Sequence, residues 1–171
     1  TGHRHLDDVR RDVFRCTLAF IRHTLKTNFF VREKQAFAFR LDPAYLAGGR
    51  GFVFTANRQG KTRTVQGNQT FYALDEYERE RVLNLHTMDA DGGAITQISV
   101  NQSHDRNPVV RPNGDIMFSR WEHVGPRNRF AIFRSKPDGT DMFVLYGSHS
   151  PGNSFLHPRD MDPQGAYAGQ V

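Results

Sequence analysis

The chain has 171 residues, 23 of them Lys or Arg against 18 Asp or Glu, for a formal charge of +5 and a pI near 9.7. Its cationic residues are scattered among acidic ones, as in Asp75-Glu76-Tyr77-Glu78-Arg79-Glu80-Arg81, so the excess reads as a mixed solvated surface and not as a nucleic-acid patch. No apolar run approaches a membrane span, and the single Cys16 excludes an intrachain disulfide, a cysteine zinc site and a Cys-x-x-Cys-His haem attachment within these residues.

Residues 6–26 are expected to form a helix. Phe14, Leu18, Ile21 and Leu25 fall at i, i+4, i+7 and i+11, with Asp7 and Asp8 at the positive end of the dipole and Asn28 as a stop. Residues 29–31 and 36–41 read as short strands separated by the charged turn Arg32-Glu33-Lys34.

From residue 42 a different grammar begins. Asp42-Pro43 leads through the turn Gly48-Gly49 into the apolar strand Gly51-Phe52-Val53-Phe54-Thr55-Ala56. The same parts return at Asn107-Pro108, with the turn Pro112-Asn113-Gly114 and the strand Ile116-Met117-Phe118-Ser119-Arg120-Trp121. In that strand Ile116 and Phe118 share one face, Met117 and Ser119 the other. A third copy starts at His157-Pro158, with Pro158 aligned to Pro108 and Gly165 close to the place of Gly114.

A second element alternates with the first. Leu85-His86-Thr87-Met88-Asp89-Ala90-Asp91-Gly92 with Ile95-Thr96-Gln97-Ile98 matches Ile132-Phe133-Arg134-Ser135-Lys136-Pro137-Asp138-Gly139 with Met142-Phe143-Val144-Leu145, each pair of strands flanking an Asp-Gly hairpin. The polar residues 59–81 form an insertion within the first copy, and residues 149–155, rich in Ser, Gly and Pro, form another loop.

Asp91 to Asp138 is 47 residues, Pro43 to Pro108 is 65 and Pro108 to Pro158 is 50, the period of a four-stranded propeller blade with one insertion. In these turns, and in the stretches Phe71-Tyr72-Ala73-Leu74-Asp75-Glu76, Gln97-Ile98-Ser99-Val100-Asn101-Gln102-Ser103-His104-Asp105, Phe118-Ser119-Arg120-Trp121 and Leu145-Tyr146-Gly147-Ser148-His149-Ser150, the chain resembles the TolB-like beta-propeller family of WD-like repeats. Within it the likeness is to the propeller of proteins related to the hydrazine synthase alpha subunit, over residues 42–166. The resemblance implies a mainly β fold: an incomplete propeller of two to three antiparallel four-stranded blades over residues 42–171, preceded by a unit of residues 1–41 with the helix. At roughly 40 to 50 residues per blade a full ring needs a longer chain, so these residues are expected to be a fragment.

The resemblance also implies an exported, periplasmic protein, a subunit of a multi-subunit redox assembly with haem in its other domains. No cofactor is expected within these residues, and the expected partners are the domains or subunits that complete the propeller, with no nucleic acid. The function so implied is a non-catalytic binding or scaffold module. The alternative is a fragment of an NAD-linked glutamate dehydrogenase, which Lys26-Thr27-Asn28-Phe29-Phe30 and Phe37-Ala38-Phe39-Arg40-Leu41-Asp42-Pro43 resemble over a short stretch without any dinucleotide motif.

The polar residues at recurrent strand ends make the candidate site. His104, His123 and His157 are candidate metal ligands, and Asp105, Arg120, Trp121, Glu122 and Arg159 are candidates for a ligand-binding face. Against that stands a structural reading in which Asp105 and Asp160 cap turns while Arg120 and Trp121 pack or pair between neighbouring sheets. Ser103-His104-Asp105 is no hydrolase triad, because adjacent residues of an extended strand alternate faces. Gly60-Lys61-Thr62 lacks the first glycine of a phosphate-binding loop, having Thr55 there.

Overall fold

The computed structural model describes residues 40–77, 79–152 and 154–171. The helix expected over 6–26, the strand over 29–31 and all but the end of that over 36–41 lie outside the described residues.

The described chain is mainly β. Its strands are β1 (Arg40–Tyr45), β2 (Gly51–Ala56), β3 (Arg63–Gln66), β4 (Gln69–Tyr72), β5 (Asn84–Asp89), β6 (Thr96–Gln97), β7 (Asp105–Val110), β8 (Ile116–Val124), β9 (Arg127–Ser135) and β10 (Phe143–Tyr146). They form one antiparallel sheet in the order β1-β2-β5-β6, a second in the order β7-β8-β9-β10, and a separate hairpin β3-β4 inserted after β2. Apart from that insertion, each sheet is a meander in chain order.

The two sheets are built by the same turns. Between β1 and β2 the amide of Gly49 donates to Leu46 O (3.1 Å), between β7 and β8 that of Gly114 donates to Arg111 O (2.9 Å), and after residue 157 that of Gly165 donates to Asp162 O (3.0 Å). The Asp-Gly turns also form where expected, with Gly92 donating to Asp89 O and Gly139 to Lys136 O, both at 2.9 Å. Asp91 and Asp138 each accept the backbone amide two residues on, at 2.8 and 2.9 Å, which is how a short side-chain oxygen stabilises a tight turn.

Three residues before prolines share an unusual backbone. Asp42, Asn107 and His157 have φ of 53°, 53° and 54°, the left-handed region in which Asp, Asn and His are enriched among residues with a Cβ. In β1 and β7 the register shifts there, between Leu41 and Ala44 and between Arg106 and Val109. The side chains meet: Asn107 Nδ2 donates to Asp42 Oδ2 and to His157 Nε2, each at 3.1 Å.

Between the sheets lies the core. Val53, Leu85 and Ile98 of the first cluster with Ile116 and Phe118 of the second, and all five are buried. Phe52, Phe54, Ala56 and Met88 make another buried cluster on the opposite face of the first sheet, so every residue of β2 is buried. Two covered faces explain why this strand reads as a continuous apolar run and not as an alternating one. Each buried Phe contributes roughly 1.5 to 3 kcal/mol of transfer free energy. Among the described residues no helix is long and apolar enough to cross a membrane.

Candidate functional site

The insertion after β2 is folded back onto the sheets by one glutamine. Gln59, fully buried, donates Nε2 to Ala73 O (2.6 Å) and Val82 O (3.3 Å) and accepts the Ala73 amide at Oε1 (2.7 Å). It thereby clamps both ends of the segment that follows the β3-β4 hairpin. Gln97 Oε1 in β6 holds the other approach by accepting the Lys61 amide (2.8 Å).

Within the clamped segment Asp75 Oδ1 accepts the amides of Arg79 (2.9 Å) and Glu80 (3.3 Å), closing a turn, and Asp75 is 7% exposed. The stretch expected to be a solvated mixed surface is thus in part a buried contact. Its carboxylates face the second sheet: Asp75 Oδ2 lies 4.0 Å from His104 Nε2, and Glu76 Oε2 lies 2.6 Å from His123 Nδ1.

His104 is fixed from the other side. The Leu83 amide donates to its Nδ1 (3.0 Å), which requires that nitrogen to be unprotonated and leaves the proton on Nε2, toward Asp75. Burial, helped by the charge of Arg106, lowers the His104 pKa below its usual value, and Asp75 and Glu80 pull the other way.

Around these imidazoles the rings form a layer. Trp121 stacks on His123 at 5.3 Å and 10°, on Phe130 at 5.7 Å and 12°, and on His104 at 5.4 Å and 26°, while Tyr77 tilts against His123 at 5.2 Å. Trp121 and His123 are two apart on β8 and so share a face, and Phe130 is the direct cross-strand partner of Trp121. The indole Nε1 donates to Asn128 Oδ1 (2.8 Å).

Beside the layer the charged groups are mutually committed. Arg120 donates to Val100 O (2.6 Å) and to Met142 Sδ (2.7 Å), its guanidinium lies 5.3 Å from the Phe133 ring centre, and its Nε is 3.7 Å from Asp105 Oδ1. Asp105 itself is fully buried and accepts from Asn101 Nδ2 (3.1 Å), and burial raises its pKa against the pull of Arg120. Glu122 pairs with Arg129 (2.9 Å), which also donates to Ser148 O.

The structure therefore brings together His104, Asp105, Arg120, Trp121, Glu122 and His123, and adds Asp75, Glu76 and Tyr77 from the insertion, which are not among the candidates above. Arg120 holds Val100 O, in the segment between β6 and β7, to the second sheet. Asp105 does not cap a turn, because it opens β7 as a buried strand residue, and Asp160 is not a cap either but pairs with Arg111 (2.9 Å). The turn after His157 is held instead by Asp162, whose Oδ1 accepts the Gln164 amide (2.9 Å).

His157 and Arg159 belong elsewhere. His157 is bonded to Asn107, and the exposed Arg159 donates to Pro158 O (2.7 Å) beside a second hollow of about 710 Å³ lined by Ile132, Tyr146 and Phe155. Among the described residues no group of three His, Cys, Asp or Glu is placed to hold a metal ion.

An open cleft of about 560 Å³ runs along the ring layer, lined in part by Gln102, Ser103, Trp121, His123 and Arg127. Its polar atoms can bind and orient a ligand. His123 presents Nδ1 to Glu76, Ser103 is 1% exposed with an Oγ that has no hydrogen-bond partner, and Arg127 is exposed. The fold defines a class, a mainly β chain with two successive antiparallel four-stranded sheets; no protein-family model, curated protein or solved structure matches it.

Proposed function

We propose that these residues are successive blades of a β-propeller that acts as a non-catalytic binding and scaffold module of a larger exported assembly. The observation that carries this is the hydrogen-bonded row Asp42, Asn107 and His157. Asp42 in β1 and Asn107 in β7 hold the same place in successive units, and side chains so placed meet when those first strands lie side by side around a common line, as the inner strands of blades do, with His157 extending the row. The repeated turns and the shared core between the sheets support the same arrangement.

A scaffold role follows from how the polar groups are used. His104, Arg120, Asp105 and Glu122 hold one another or the backbone, and none is left as a nucleophile with its own base and orienter. Export, and a place beside haem-bearing domains, come to this reading from the TolB-like resemblance. Partner domains or subunits complete the ring in this proposal. The glutamate dehydrogenase alternative draws on residues 26–43, of which only 40–43 are described, and no observation favours it.

Electron cryomicroscopy of the protein in its natural chain or assembly tests the proposal. The expected result is a ring of radial sheets with Asp42, Asn107 and His157 facing the axis. A two-layer sandwich with those three residues at its periphery overturns it.

A further inference from the structure

We infer that the cleft beside Trp121 is a binding site for a planar aromatic carboxylate, an inference that rests on the binding-module reading. The ring layer supplies the first half of the recognition. Trp121 and His123, which line the cleft, are within 10° of parallel, so a flat ring lying along them extends an existing stack, whereas a puckered ring meets only part of it.

The second half is the anion. Glu122 is neutralised by Arg129 and the Arg120 guanidinium is committed to Val100 O and Asp105, while the exposed Arg127 makes no ion pair or side-chain hydrogen bond among the described residues. Its guanidinium matches a carboxylate, which accepts two parallel N–H donors. Ser103 gives independent support. A hydroxyl that is 1% exposed and has no partner is costly to leave unmet, yet it lines this cleft, where a carboxylate oxygen would accept its proton.

Trp121 is the one Trp of these residues, so its indole N–H resonance in a proton–nitrogen correlation spectrum is a single, assignable reporter beside this cleft. Benzoate is expected to shift it saturably in the millimolar range, with cyclohexanecarboxylate, its puckered analogue, several-fold weaker. Arg127→Gln is expected to weaken benzoate roughly tenfold, the loss of a charge-assisted bond. Ser103→Ala is expected to weaken binding several-fold without lowering the unfolding midpoint, a pairing that a structural hydroxyl would not give.

Equal shifts with acetate or cyclohexanecarboxylate, or an unchanged affinity in folded Arg127→Gln, overturn the inference. The dispersion of the backbone amides in the same spectra reports the fold separately. A well-dispersed spectrum with no benzoate response removes the ligand alone, while failure of the propeller reading appears as a different strand arrangement whatever benzoate does.

Discussion

Asn107 donates its side-chain amide to Asp42 across 65 residues of chain, and the two occupy the same place in successive units, each with φ of 53° before a proline. His157 takes the third place at φ of 54°. Backbone and side chain are thus coupled. The left-handed φ coincides with the register shifts of β1 and β7, and Asp, Asn and His are the kinds of residue with a Cβ that are enriched at that φ.

Asn107→Ala is therefore expected to destabilise the fold by about 1 to 3 kcal/mol, from two lost hydrogen bonds plus an Ala in the left-handed region. Asn107→Asp keeps a residue suited to that φ but removes the donor and sets a carboxylate against Asp42. Its loss of stability should shrink in acid. Urea unfolding at pH 7 and pH 4 checks both, and an Ala variant as stable as the parent would show that the row is incidental.

The Asp138-Gly139 turn joins the sheets at a point where only glycine fits. A Cβ on Gly139 would lie 2.1 Å from Ile98 O, which is backbone and has no flexible end to move, and φ there is +86°. Gly139→Ala should cost roughly 2 to 4 kcal/mol and loosen the second sheet from the first. Gly125→Ala is the control, with φ of +56° and nothing within 4 Å of the added carbon, and should cost roughly 1 kcal/mol from conformation alone. Equal thermal shifts in the two variants would remove the steric argument.

The turns and strands that carry these predictions were legible because their signals are local. Pro-Asn-Gly and Asp-Gly fix turns within four residues, and the alternation of Ile116 and Phe118 with Met117 and Ser119 fixes a strand and its faces. The site was only half legible. His104, Trp121 and His123 stand out in the sequence, but Asp75, Glu76 and Tyr77 reach them only because Gln59 folds the insertion back, and a lone Gln in a polar stretch announces no burial. Grouping His157 with the other two imidazoles failed for the opposite reason: recurrence places it with Asn107, whose side chain also holds Asp42.

His104 makes stability depend on pH near neutrality. Its folded pKa lies below the usual 6.5 because burial, with the charge of Arg106, disfavours the imidazolium. Between the folded and unfolded values the unfolded chain binds more protons, so the contribution is full above about pH 6.5 and is lost as pH falls through that window. His104→Asn should flatten the slope between pH 7 and pH 5. Chemical unfolding across that range checks it, and an unchanged slope would assign the dependence to another group.

Two buried aspartates should titrate with opposite signs. Asp115 is held below the usual carboxylate value chiefly by its hydrogen bond from Lys136 Nζ (2.7 Å), with Asn113 and Arg134 adding to it, so the stability it gives is present above about pH 3.8 and is lost as pH falls through its folded value. Asp105 is raised by burial, which the charge of Arg120 and hydrogen bonds from Ser99, Asn101 and Asn84 offset only in part. For this group the folded chain binds the extra proton, so its contribution is full below 3.8 and is lost as pH rises through the folded pKa. Asp105→Asn has nearly the same shape and no charge to bury. Its stability relative to the parent should therefore climb from pH 4 toward pH 7. Arg120 is the counterweight: its Nε stands 3.7 Å from Asp105 Oδ1, longer than a hydrogen bond, and it keeps Val100 O when the charge is gone. A parent that instead gains on the Asn variant as pH rises would mean that the Arg120 attraction outweighs the cost of burying the carboxylate, and would reverse the assignment of Asp105 as a destabilising charge at neutral pH.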